Sequence, residues 1–198
     1  MRWERFFDDL EGQLDAEWEA ERAALDTEAE RLRLSRLTLR ERLAGLVRAC
    51  EAVSVELSDG TVLTGAPVGV GADWMALEAA LRRGGAVLVP LGGVVAIGMP
   101  HADLLRSARP AASGAGLSER MTLGFVLRDL VRKRIPVTVG CTGGRTFAGT
   151  MDRAGADHLD LALHELGAPR RREAVTGHRV VPFAAIGWVR LEAPVALP

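Results

Sequence analysis

The 198-residue chain contains no tyrosine, two cysteines and only one lysine, Lys133. Aromatic residues make up 5% of it, and no apolar stretch is long enough to span a bilayer. Each scarcity excludes something. Cys50 and Cys141 form neither a disulfide framework nor a metal-ligand spacing, which fits a reduced, cytoplasmic protein. The longest apolar run, "AVLVPLGGVVAIGM", is short and broken by Pro and Gly, so no membrane span is expected. The N-terminus is acidic, without the basic flank and apolar centre of a secretory signal. The hydrophobic fraction of 48% beside 26% charged residues is globular composition.

The formal net charge of −1 conceals a division. Residues 1–30 hold three arginines against eleven acids, a balance of −8, which leaves +7 on the remainder. Within residues 1–36, Trp3, Phe7, Leu10, Leu14, Trp18, Leu25 and Leu32 recur at helical or heptad spacing among the charges. That pattern predicts a long amphipathic helix whose apolar stripe needs burial, either on its own chain or against another subunit or a protein partner.

The rest of the chain repeats itself. "VSVELSDGTVLTG" (53–65) and "VTVGCTGGRTFAG" (137–149) lie 84 residues apart, and at that offset 14 of the 41 pairs from Thr38/Thr122 to Glu78/Ala162 are identical. The identities include Gly71-Ala72-Asp73 with Gly155-Ala156-Asp157. An eight-residue insertion around "LGAPRRREA" then shifts the register before "VLVPLGGVVAIG" meets "RVVPFAAIGWVR". The chain is a tandem duplication.

Each copy opens on a helix, with Leu39, Leu43, Leu46 and Val47 echoed by Leu123, Leu127, Leu130 and Val131. Period-2 strands follow, separated by Asp59-Gly60 and Gly143-Gly144, dipeptides suited to tight hairpin turns. Gly65 and Gly149 suit bends or bulges. One helix and five short strands per copy predict a small five-stranded barrel, and this order resembles the Sm/Lsm family, to which bacterial Hfq also belongs. The resemblance covers about residues 38–98 and 122–191. It implies a mainly β fold of two tandem Sm-like barrels: an N-terminal helix (1–36), a first barrel (37–100), a linker (101–117), a second barrel (118–192) and a tail (193–198). It also implies self-association, by pairing of the two barrels or by closure of a ring from three chains.

Catalytic and metal chemistry find little purchase. The glycines of "GVGADWM" and "GCTGGRTFAG" are flanked by strands on both sides, so they lack the following helix that a phosphate loop uses. His158 and His164 share a strand face but stand about 20 Å apart at ~3.3 Å per residue, too far for one ion. No nucleophile motif or carboxylate constellation appears, so the expectation is a non-enzyme without cofactor or metal.

Binding is the remaining class. By the resemblance, the Asn of the family's uridine pocket falls at Ala76 and Asp160, and its Arg-Gly segment becomes "VPLGG" and "VPFAA". The usual pocket is therefore lost in both copies. Arg128, Arg132, Lys133 and Arg134 on the second helix, and Arg170, Arg171 and Arg172 in the insertion, offer phosphate contacts instead, with Trp74 a candidate for base stacking. The leading expectation is nucleic-acid binding, RNA foremost, through a basic surface. The alternatives are a protein-interaction module that has lost RNA binding, or, with less support, a DNA-binding regulator.

Overall fold

Alternation at Val53, Val55 and Leu57 does become a strand, buried on that face. In the computed structural model, the described residues are 18–19, 21–22, 25–79, 85–109, 120–167 and 172–194. The chain divides into two compact units, 1–38 and 39–198. In the first unit, residues 25–36 form helix α1.

The second unit holds both copies. In the first lie α2 (Leu39–Ala44), β1 (Val53–Leu57), β2 (Val62–Val70), β3 (Trp74–Ala79), β4 (Ala86–Pro90) and β5 (Val94–Gly98). Helix α3 (His101–Ser107) then occupies the start of the stretch expected to be linker. The second copy comprises α4 (Leu123–Lys133), β6 (Pro136–Cys141), β7 (Thr146–Ala154), β8 (His158–Leu163), β9 (Gly177–Pro182) and β10 (Ile186–Leu191).

The expected pair of five-stranded barrels is not what these strands build, and no long N-terminal helix accompanies them among the described residues. They form one antiparallel sheet of ten strands, unclosed, in the order β5-β1-β2-β3-β4-β10-β6-β7-β8-β9. The physical reason is the junction between the copies. The flank of β4 pairs with β10, Leu88 opposite Val189 and Val87 opposite Arg190, so the strands run on from one copy into the next. Each half keeps the same internal order, and bulges recur at matched places. Val68 and Asp152 are skipped in the β2–β3 and β7–β8 ladders, and Val95 and Gly187 in β5 and β10.

The two apolar clusters confirm that neither copy is self-sufficient. Leu123, Val126, Leu127 and Leu130, the buried stripe of α4, share a cluster with Trp74, Ala76 and Leu88 from the first copy. Trp188 of β10 packs in the opposite direction, among Leu43, Leu46, Val87 and Val89. Gly140 permits this, since any Cβ there would collide with the Trp188 indole.

Turn chemistry differs from expectation in one respect. Gly60 and Gly144 have φ of 81° and 75°, but Asp59 and Gly143 do not share the left-handed region. Gly60 N–H donates to the Leu57 carbonyl at 2.9 Å and Gly144 N–H to that of Cys141 at 2.9 Å. Both are therefore type I turns followed by a left-handed glycine rather than two-residue turns with both central residues at positive φ.

Because the cores interpenetrate, urea titration followed by circular dichroism should show one unfolding transition for residues 39–198. Leu88→Ala, which empties a fully buried site across the junction, should lower stability by about 2–5 kcal/mol without splitting that transition.

Candidate functional site

The junction has a counterpart that no described residue covers. In the first copy, the loop Gly71-Ala72-Asp73-Trp74 receives the start of α4. Leu123 N–H donates to Asp73 Oδ1 at 2.7 Å, and Trp74 Nε1–H to the Met121 carbonyl at 2.9 Å. Thr122 stands at the N-cap with extended backbone but makes no side-chain capping bond, so the cap comes from across the junction. Trp74 is 1% exposed and Leu88 fully buried.

The second copy repeats the loop as Gly155-Ala156-Asp157-His158, and there it faces solvent. The Asp157 side chain is 89% exposed and, among the described residues, meets only its neighbour, at 2.8 Å from His158 Nδ1. That hydrogen bond holds the Asp157 carboxyl below its ordinary range. Val180, the repeat counterpart of Leu88, is 68% exposed. Four apolar residues have polar counterparts here: Trp74, Ala76, Ala86 and Val87 correspond to His158, Asp160, His178 and Arg179.

Over this face runs an open groove of about 870 Å³. Its floor follows from register, because Arg153 on β7, Asp160 on β8 and Val180 on β9 are successive cross-strand neighbours. The C-terminal end of α4 supplies a wall with Arg132 and Arg134. Arg134 caps α4 in the left-handed conformation, φ 52° and ψ 39°, which ends the helix before Pro136 opens β6. Arg179 and His178 complete the rim from β9. The Arg179 guanidinium lies 6.0 Å from the Phe147 ring centroid and donates to the His178 carbonyl. His178 Nε2 approaches Asp152 at 4.0 Å. Arg132, Arg134 and Arg153 make no ion pair with any described residue.

The groove gathers some sequence-derived candidates and excludes others. Arg132 and Arg134 line it. Lys133 is paired instead with Asp129 at 2.7 Å, and Arg128 donates to the Gly155 carbonyl at 2.9 Å, bracing α4 on the β7–β8 loop. Arg170 and Arg171 lie outside the described residues, and Arg172 opens a short 3-10 turn through Ala174. Trp74 cannot stack a base. It is buried in the junction, with its indole N–H already satisfied. Trp3, Phe7, Leu10 and Leu14 fall outside the described residues, while Trp18 is helical and 61% exposed.

Arg153 and Arg179 were not among the candidates read from sequence. Isolated strand residues carry no cluster signal, and Arg153 reaches the row of Asp160 only through the Asp152 bulge. A signal did exist in the repeat itself, where Val87 of the first copy has become Arg179.

Buried polarity elsewhere is self-contained. His164, 5% exposed, contacts Thr150 Oγ1 at 2.7 Å and the Glu165 carbonyl at 2.9 Å through its two ring nitrogens. Burial pushes the thiols of Cys50 and Cys141 up, away from reactivity. Among the described residues there is no group of three or more potential metal ligands, and no helix long and apolar enough to cross a membrane. No protein-family model matches the sequence, and a search of curated proteins finds no match.

The two copies of the loop can be told apart by one pair of substitutions. Asp73→Ala removes the cap of α4 and should cost about 0.5–2 kcal/mol. Asp157→Ala, on the uncovered copy, should stay within about 0.5 kcal/mol of wild type, both read from urea midpoints.

Proposed function

We propose that the chain is a non-enzymatic, cytoplasmic nucleic-acid-binding protein that holds a single strand, RNA by its Sm-like sequence resemblance, along the arginine groove over β7–β9. The observation that carries the reading is the convergence of Arg132, Arg134, Arg153 and Arg179 from α4, β7 and β9 on one open channel. Guanidinium groups that bind no neighbouring carboxylate are free to take phosphate oxygens, and their planar forks suit that geometry. Among the described residues the groove is lined by no Phe or Trp, and His178 is its one aromatic ring, so affinity rests mainly on phosphate contacts rather than on stacking. Asp152 and Asp160 lower the local positive charge, which favours weak binding with little sequence preference. Ala76 and Asp160, at the positions of the family's pocket Asn, argue for the groove over a uridine site.

A second reading, a protein-interaction module without nucleic acid, draws on the same two aspartates and on the exposed apolar end of the sheet at β5. One titration separates the readings. Fluorescence anisotropy with labelled single-stranded RNA, single-stranded DNA and duplex DNA should give binding that weakens log-linearly with salt. Neutralising Arg132, Arg134 or Arg153 individually should reduce the magnitude of the log–log slope by about 0.7–1 each. Neutralising Lys133, already paired, should change it far less. Absence of binding at low salt would transfer the assignment to the interaction module.

A further inference from the structure

The sheet has two ends, and they differ in chemistry. At the β9 end, His178 and Arg179 project from the edge strand, beside the arginine groove. The β5 end carries no ionisable residue from Leu91 to Pro100. Val95, the bulge residue, is 65% exposed, and Leu39 and Leu104, which share a cleft with it, are 47% and 41% exposed. Val95, Ile97, Met99, Leu39 and Leu104 surround a small cleft of about 180 Å³. Arg42, which also lines the cleft, is occupied with Ser107 Oγ at 2.9 Å and the Leu104 carbonyl at 3.2 Å.

A strand of this kind does accept a second partner on its outer flank. β10, the repeat counterpart of β5, pairs with β6 on one side and with β4 on the other, using Val189 and Arg190 beyond the Gly187 bulge. The corresponding residues of β5 are Ile97 and Gly98, and among the described residues β5 pairs only with β1.

We propose that β5 is a homodimer edge, pairing antiparallel with β5 of a second copy about a two-fold axis and continuing the sheet from one chain into the next. A second copy can present either end. Presenting β9 would bury the charges of Arg179 and Asp160 beneath the apolar residues of the β5 end, a costly desolvation. Presenting β5 brings uncharged apolar strand against itself, and a two-fold contact requires that self-complementarity. Two β9 edges, by contrast, would oppose arginine to arginine. Unpaired edge strands are otherwise blunted by charge or proline, and β5 has neither within its length. The inference does not depend on what the groove binds, because β5 and β9 lie at opposite ends of the strand order.

Sedimentation of the full chain at micromolar concentration tests it, with circular dichroism confirming that each variant is folded. Wild type should sediment as a dimer. Ala96→Lys, on the exposed part of β5, should weaken dimerisation at least about tenfold, the scale set by burying an unpaired charge. Val180→Lys should leave it unchanged. As a second measurement, Ala96→Cys should be joined into dimers by a short bis-maleimide when present as the single variant, while wild type and Val180→Cys are not. A monomeric wild type would overturn the proposal. So would cross-linking that requires a mixture of Ala96→Cys and Val180→Cys, which would mean head-to-tail pairing, or a dimer indifferent to Ala96→Lys.

Discussion

Everything in residues 39–198 depends on the pairing of β4 with β10. It is a short ladder, yet it decides the architecture, because each strand brings its copy's core with it. Leu88 and Trp74 reach into the cluster built on α4, and Trp188 reaches back into the cluster built on α2. Asp73 then fixes the start of α4 across the same seam. Apolar area is removed from water on both sides at once, so the two copies stabilise one another rather than standing as separate bodies.

The same seam explains why the copies diverged where they did. A duplicated unit arrives with two equivalent faces, and only one can be covered by its twin. The covered face remained Trp, Ala, Val and Leu. On the uncovered face stand His158, Asp160 and Arg179 beside the exposed Val180, a largely polar surface of the sort that terminates a repeat array. An arginine on that face costs no core packing: Arg134, Arg153 and Arg179 stand where the first copy has Cys50, Gly69 and Val87, while Arg132 matches Arg48. The β5 end, by contrast, carries no ionisable residue from Leu91 to Pro100.

Much of the local structure was legible in the residues. Period-2 alternation located β1 and β6, the spacing of Leu123, Leu127 and Leu130 gave the buried face of α4, and the repeat foretold two halves with the same strand order. That the strands run on as one open sheet rather than closing into two barrels was not legible, because closure is decided by which flank of a strand finds a partner, and hydrophobic pattern reports faces, not flanks. Trp74 misled for a related reason. Its partners, Met121 and α4, lie nearly fifty residues away, so its burial was invisible locally. The groove was half legible: Arg132 and Arg134 announce themselves as a cluster, whereas Arg153 and Arg179 join it only through a bulge and a ladder.

The order of synthesis gives the seam a cost in time. Leu88 leaves the ribosome about 100 residues ahead of Val189, its partner, an interval of roughly 5–20 s at about 5–20 residues per second. Throughout that interval the first copy is complete in sequence but has Trp74 and Leu88 bare and Trp188 missing from its core. A nascent chain in that state shows other nascent chains an open apolar strand edge. The duplication that stabilises the finished protein thus leaves it most prone to mispairing midway through its own translation, when two chains on neighbouring ribosomes could exchange second halves.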